Sequence, residues 1–243
     1  SSSMAEVKDG SVQLCVTSFP LGHLTVQHDD PRGSALLRLY AVQVFHDVSS
    51  FLFSQSPKLR DVYMKQLGEI VRVLKSDGVF VFQVGNAVFD SDRDLFGTEL
   101  SVLYPYIIAE DFVLSSPLRL RFDIPSVVRY PNGERRVEHW FGFSKQEKFK
   151  HKKIPLFMHG NAGITRIEQF DFRTSPENIL RKIIVCFSDR GDLLLDPYAG
   201  LGTLGKVAET MNRNTVLYEF STRTFPLLKE KMERSTKLGE GVV

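Results

Sequence analysis

Short apolar runs, each ended by a polar or glycine-containing break, alternate with segments of helical spacing along most of the chain. Residues 12–16 are apolar and rich in β-branched side chains, and read as a buried strand. Thr17-Ser18 and then Phe19-Pro20-Leu21-Gly22 end it, because proline cannot continue a central strand. Residues 25–34 carry Asp29-Asp30-Pro31-Arg32-Gly33 and read as a loop, and residues 35–53 as partly helical. Ser56-Pro57 offers an N-cap and a first-turn proline. Leu59, Tyr63, Leu67, Ile70, Val71 and Leu74 then recur at helical spacing. Lys75-Ser76-Asp77-Gly78 reads as a glycine C-cap, and residues 79–84 as a second strand ended by Gly85-Asn86.

The middle is less regular. Residues 96–106 have helical character, and residues 109–114 open a strand. Tyr130-Pro131-Asn132-Gly133 is a turn, and residues 137–143 form a strand that contains Trp140. A basic run follows, with Lys145, Lys148, Lys150, His151, Lys152 and Lys153, and then the loop "MHGNAGITR". The last third is a plain strand–helix alternation. A helix begins at Ser175-Pro176, a strand at 193–195 ends in Asp196, a second helix spans 203–211, and a strand at 215–218 is closed by Glu219. Such alternation predicts an α/β fold, a doubly wound and mainly parallel Rossmann-like sheet with helices on both faces.

Composition adds little against this picture. The chain has 243 residues, 42% hydrophobic and 25% charged, which suits one large α/β domain with a sizeable core. Nineteen Phe against one Trp predict a Phe-rich interior. No apolar stretch reaches the length of a membrane span. Ser1-Ser2-Ser3 ahead of Met4 reads as an added leader, and no secretory signal is read after Met4. Cys15 and Cys186 fall in apolar contexts and read as buried free thiols, too few for a disulfide framework or a zinc site, so no metal is expected. An intracellular location follows, cytoplasmic or, in a eukaryote, nuclear. A net charge of +2 gives no overall sign of a polyanionic partner, so only local charge can argue for one.

Candidate chemistry concentrates in "LLLDPYAGLGTLGKVAETMNRNTVLYE". A buried strand delivers Asp196 to its carboxyl edge. Gly200 and Gly202 let the backbone turn sharply and approach a ligand without a Cβ in the way. The free N–H groups of the following helix point into the same space. Glu219 follows Asp196 by 23 positions, at the end of the next strand, where an acid can bind paired ribose hydroxyls. A carboxylate beside the turn repels a pyrophosphate, and G-L-G-T-L-G fits the dinucleotide fingerprint only loosely. A cationic nucleoside such as S-adenosylmethionine suits the site better. A ligand-free β–α turn is the plainer alternative.

"DPYAGLGT" resembles the D-P-F-A-G-S-G-T cofactor motif of S-adenosylmethionine-dependent DNA amino-methyltransferases of restriction–modification systems. The chain's order, with Ser18-Phe19-Pro20-Leu21 near the beginning and the cofactor motif near the end, resembles their permuted (beta-class) members. Those of the N4-cytosine type carry Ser-Pro-Pro-Tyr at the first site. "VLKSDGVFVFQVGN", "AEDF", "WFGFSK" and "SPENILRKIIVCFSDRGDLLLDP" resemble further family segments, so that the likeness spans roughly residues 12–232. It implies methyl transfer from S-adenosylmethionine to the exocyclic amine of a base flipped out of DNA. Ser18, Phe19 and Pro20 would be catalytic. Thr17, Asn86, Asp196, Pro197, Tyr198, Ala199, Gly200, Gly202, Thr203 and Glu219 would hold the cofactor. Leu21, His23, Lys150, Lys152, Lys153, His159 and Asn161 would meet the substrate.

Two departures from the family pattern bear on this. Phe19 stands where the first proline is expected, and Leu21 where an aromatic would stack on the base, a contact worth about 1–3 kcal/mol. Only about 30 residues separate Phe143 from Ser175, against roughly 50 or more for an independent recognition domain. The expected division is therefore a single domain over residues 4–243, with a catalytic half at 11–143, a short recognition segment at 144–172 and a cofactor half at 173–232. Lysines in that segment would contact phosphate, which positions without specifying; a solvated charged loop is the plainer alternative. The expected partner is DNA, with RNA not excluded. A homodimer or a partner subunit is compatible with the resemblance. A methyltransferase-like binding subunit and an adenine enzyme are the rival functions.

Overall fold

The computed structural model describes residues 3–18, 57–85, 116–129, 135–146, 165–166 and 176–239. These include β1 (Val12–Ser18), α1 (Pro57–Val73), β2 (Leu74–Gly85), β3 (Arg119–Arg129), β4 (Arg135–Ser144) and β5 (Thr165–Arg166). They continue with α2 (Pro176–Phe187), β6 (Leu193–Asp196), α3 (Thr203–Glu209), β7 (Asn214–Leu217) and α4 (Phe225–Gly239). The seven strands form one sheet in the order β5-β3-β4-β2-β1-β6-β7.

The strand pairings explain why one rim can carry a site. β1 pairs in parallel with β2 on one side and with β6 on the other, and β6 pairs in parallel with β7. Four carboxyl ends therefore open onto the same edge. β4 returns antiparallel against both β2 and β3. The sheet is thus mixed, parallel through its β2–β7 half, as the alternating pattern predicts. Helices cover both faces. Leu67, Ile70 and Val73 of α1 pack with Val12, Cys15, Phe80 and Phe82 on one face. Ile179, Ile183 and Phe187 of α2, with Leu204 and Val207 of α3, pack with Leu14, Val16 and Val81 on the other. Period-two alternation from Leu14 along β1 and from Val79 along β2 divides their side chains between these two layers, and the register shift between Val12 and Leu14 puts Val12 in the α1 layer.

Phenylalanines fill the interior, with Phe80, Phe82, Phe122, Phe141 and Phe143 all fully buried. Phe80 stacks on Phe143 at 5.6 Å between centroids, and Phe122 stacks on Phe187 at 5.0 Å. A register shift between Leu120 and Phe122 sets Phe122 opposite Gly142, where a Cβ would run into the Phe122 ring. The ring occupies the space that a side chain would need. Cys15 and Cys186 are buried free thiols, as their contexts predict, and burial pushes Cys186 up to about 12.

Several expected boundaries move. β1 runs on through Thr17 and Ser18, which the apolar pattern alone left out. Lys75-Ser76-Asp77-Gly78 is not a C-cap. Gly78 has no positive φ, and β2 begins directly at Leu74 with a register shift against β1. Glycine is needed there for close packing, since a Cβ would lie 2.8 Å from Leu74 Cγ and 3.0 Å from the Val12 carbonyl oxygen. α3 stops at Glu209 rather than 211, and β7 spans 214–217. β3 was not anticipated. Arg119, Arg121, Asp123 and Pro125 interrupt any apolar alternation, although Phe122 and Ile124 are buried. Residues 96–106 and 109–114 lie outside the described residues.

Candidate functional site

β1 and β6 are neighbours in the sheet although Thr17 and Asp196 are 179 residues apart in sequence. Their register, Leu14 with Leu194 and Cys15 with Leu195, brings Thr17 and Ser18 to the rim beside Asp196. Alternation then gives the two hydroxyls different surroundings: Thr17 is buried and Ser18 is exposed. Thr17 Oγ1 donates to Asp196 Oδ1 at 2.8 Å, a buried bond across 179 residues of sequence. The Tyr198 backbone N–H donates to the same oxygen at 3.0 Å.

Asp196 is 8% exposed. Burial raises its carboxyl to about 6; the Tyr198 amide and the Thr17 hydroxyl work against that rise, and the nearby charge of Glu219 adds to it. A buried carboxylate with two donors and no cation among the described partners is under-compensated at neutral pH. Such a group favours a positive ligand.

The turn after Asp196 is built by two left-handed glycines. Gly200 has φ +53° and Gly202 φ +75°. Nothing lies within 4 Å of where a Gly200 Cβ would stand, so the turn is open on that side. Gly202 is closed on its side, where a Cβ would run into Leu228 Cδ1, and it also caps α3. The Gly202 amide donates to the Ala199 carbonyl at 2.8 Å. Neighbouring β7 is stitched to this turn: the Tyr218 amide donates to the Asp196 carbonyl (2.9 Å), and the Ala199 amide to the Tyr218 carbonyl (2.8 Å). Glu219 therefore emerges beside the glycine turn. One of its carboxylate oxygens accepts from the Ser221 amide at 2.6 Å.

The structure thus brings Thr17, Ser18, Asp196, Pro197, Tyr198, Ala199, Gly200, Gly202, Thr203 and Glu219 to one rim. Phe19, Pro20, Leu21, His23, Asn86, Lys150, Lys152, Lys153, His159 and Asn161 lie outside the described residues. Arg121 is partly buried, and its Nε donates to Ser144 Oγ at 2.8 Å. The sequence reading passed over Phe220. It is 66% exposed and meets Tyr198 edge-on at 5.7 Å. An aromatic directly after a strand-ending acid was the available signal. Among the described residues, no group of His, Cys, Asp or Glu is placed to hold a metal ion, and no helix is long and apolar enough to cross a membrane.

A sheet of this order, covered on both faces and opening its glycine turn at the carboxyl rim, defines a Rossmann-like methyltransferase fold. A putative DNA modification methylase of Thermus thermophilus, complexed with S-adenosyl-L-methionine, has the same fold at TM-score 0.55 and 20% identity, over 95% of this chain and 90% of that one. The PvuII DNA methyltransferase (cytosine-N4-specific) aligns at TM-score 0.50 and 17% identity, over 95% and 85%.

Residues 125–230 match the DNA methylase family, which bears out the resemblance to DNA amino-methyltransferases of restriction–modification systems. The Type II methyltransferase M.MjaI of Methanocaldococcus jannaschii is 42% identical over 57 residues, 24% of this chain and 19% of that protein. M.HpaI of Haemophilus parainfluenzae is 31% identical over 58 residues, 24% and 18%. The alignments span about a fifth of the length of these curated relatives.

Proposed function

We propose that the chain is an S-adenosylmethionine-dependent DNA amino-methyltransferase, acting on N4 of cytosine, with residues 4–243 as one domain. The observation that carries this reading is the buried Thr17–Asp196 hydrogen bond, which ties the strand end bearing Ser18 to the strand end bearing the glycine turn. The described residues fit the cofactor. Asp196 is a buried carboxylate short of a cation, the turn is open above Gly200, and Glu219 and the exposed Phe220 ring stand beside it. When bound, S-adenosylmethionine supplies a methyl group on a sulfonium centre.

The chain's own residues would then divide the work. Asp196 compensates the cofactor's positive charge, Glu219 accepts from the ribose hydroxyls, and Phe220 covers the adenine. Ser18 Oγ accepts a hydrogen bond from the exocyclic amine of the base and draws its lone pair out of conjugation with the ring. Pro20 stiffens the backbone carbonyl at Phe19, which holds the second amine hydrogen. Positioning of both reactants supplies most of the acceleration. The serine at position 18 favours cytosine over adenine. Lys150, Lys152 and Lys153 neutralise phosphate, while His23, His159, Asn161 and Leu21 line the base side.

The test is transfer of labelled methyl from S-adenosylmethionine to matched DNA and RNA substrates, alongside calorimetry of cofactor binding. Methyl label in DNA, recovered as N4-methylcytosine, supports the reading. Label only in RNA, or as N6-methyladenine, redirects it. Saturable cofactor binding without transfer to either polymer favours the second reading, a methyltransferase-like binding subunit. Phe19 and Leu21, where the family's tetrapeptide has proline and an aromatic, motivate that alternative.

A further inference from the structure

The N-terminal segment ahead of β1 is held to the end of α1 chiefly by one side chain, Arg72. All five N–H donors of Arg72, near the end of α1, are engaged. Nε donates to Glu69 Oε1 at 3.1 Å. Nη1 donates to the Val7 carbonyl at 3.0 Å and to Asp9 Oδ1. Nη2 donates to the Met4 carbonyl at 2.9 Å and to Glu69 Oε2 at 2.9 Å. The Met4 amide donates to Glu69 at 2.8 Å, and the Gly10 amide to the Arg72 carbonyl at 3.1 Å. Guanidinium is the one side chain able to satisfy two carbonyls and two carboxylates from a fixed planar fork.

This clasp reaches the rim through packing. It buries Met4 and Val7 in the apolar layer formed by α1 and one face of the sheet, and Tyr198 and Tyr218 pack against the same layer. Those two tyrosines flank the candidate cofactor pocket: Tyr198 follows Asp196 in the turn, and the Tyr218 backbone is bonded to both Asp196 and Ala199. The Tyr218 hydroxyl is buried without a well-formed hydrogen bond. Glu6, on the clasped segment, is the group that faces it. Burial first, and then Glu6, raises the tyrosine's pKa. The carboxyl of Glu6 is lowered first by its own backbone amide and then by that hydroxyl.

We infer that Arg72 is a positioning residue for the cofactor pocket, holding the N-terminal segment as a wedge beneath Tyr198 and Tyr218 so that the Asp196–Gly202 turn and Glu219 keep their spacing. The inference deepens the proposed function and rests on that reading for what the pocket binds. It makes a separate statement about the pocket's rigidity, which can be read without cofactor.

The decisive measurement is amide hydrogen exchange on the cofactor-free protein, for wild type, Arg72→Lys and Arg72→Gln, with S-adenosylmethionine calorimetry on the same samples. In Arg72→Gln, exchange at Ala199 and Tyr218 should accelerate about 10-fold or more while Leu194 and Leu195 hold their rates, as expected of local opening. Cofactor affinity should fall by a similar factor. Arg72→Lys, with charge but no fork, should fall between. Uniform acceleration across the sheet, or no change at Ala199 and Tyr218, overturns the inference. Should Arg72→Gln fail to fold, Asp9→Asn, at an exposed partner, reads the same two amides, and an unchanged rate there also overturns it. If wild type binds no S-adenosylmethionine, the proposed function fails, and the exchange pattern still decides the role of Arg72.

Discussion

On one side of β2 the sheet runs parallel through β1, β6 and β7; on the other it turns antiparallel through β4 and β3. The parallel half ends in buried polar atoms, Thr17 and Asp196, and in glycines with left-handed backbones. The antiparallel half is closed by rings, with Phe122 lying over Gly142 and against Phe187. One half keeps a carboxylate in an environment that disfavours its charge, while the other packs Phe rings closely around buried His139 and Ser144. The comparison teaches where stability is held and where it is given up. In the parallel half the under-compensated carboxylate sits where aligned strand ends leave a crevice; in the antiparallel half Trp140 Nε1 is buried without a hydrogen-bond partner amid close ring packing.

The comparison breaks most sharply at Asp196. Asp196→Ala should weaken S-adenosylmethionine binding by about 100-fold, as expected when a buried charge loses its partner, and leave the Phe packing of β3 and β4 intact. Calorimetry and the near-ultraviolet circular dichroism of the aromatics check the two parts.

Asp196→Asn tests the cost of that charge. Its folded pKa, about 6, lies above the unfolded value of 3.8, so the native state binds the proton more tightly. Stability from this group is greatest at low pH, where the carboxyl is neutral in both states. It declines as pH rises from about 4 through 6. Above that window the asparagine variant should be more stable than wild type by up to about 3 kcal/mol, and the gain should vanish near pH 4. Urea unfolding at pH 4, 6 and 8 measures it.

Gly142→Ala probes the other half. A Cβ driven into the Phe122 ring should cost about 1–3 kcal/mol and lower Tm by several degrees, without touching cofactor affinity. Thr17→Val is the mildest change. It keeps the shape but removes the 2.8 Å bond to Asp196, and should cost about 1 kcal/mol while raising the aspartate pKa further. The pH dependence of unfolding then shifts upward relative to wild type.

Legibility along the chain follows the same division only in part, since β4, on the antiparallel side, is read at residues 137–143. β1, β6 and β7 could be read as short apolar runs ended by Thr17-Ser18 and the proline beyond, by Asp196 and by Glu219, α2 by its Ser-Pro start, and α3 by the glycine turn ahead of it. Aligned, doubly covered strands produce that pattern. β3 could not, because Arg119, Arg121, Asp123 and Pro125 break its alternation, and only a register shift returns Phe122 to the core. Gly78 misled for a related reason: in sequence, a glycine kept for close packing looks like one kept for a left-handed turn. Asp196, Gly200, Gly202 and Glu219 stood out at once because their spacing is local. The Arg72 clasp and the Thr17–Asp196 bond did not, since neither a five-fold guanidinium anchor nor a contact across 179 residues leaves any trace in local spacing.

The position of β1 has a consequence for biosynthesis. Among the described strands it comes first in the chain, yet it lies inside the sheet between β2 and β6, and its β6 edge is matched only once residues 193–196 are translated. Until then that edge of an apolar strand lacks its partner, an arrangement prone to intermolecular pairing. Shielding of β1 until β6 has been made should raise the yield of folded protein.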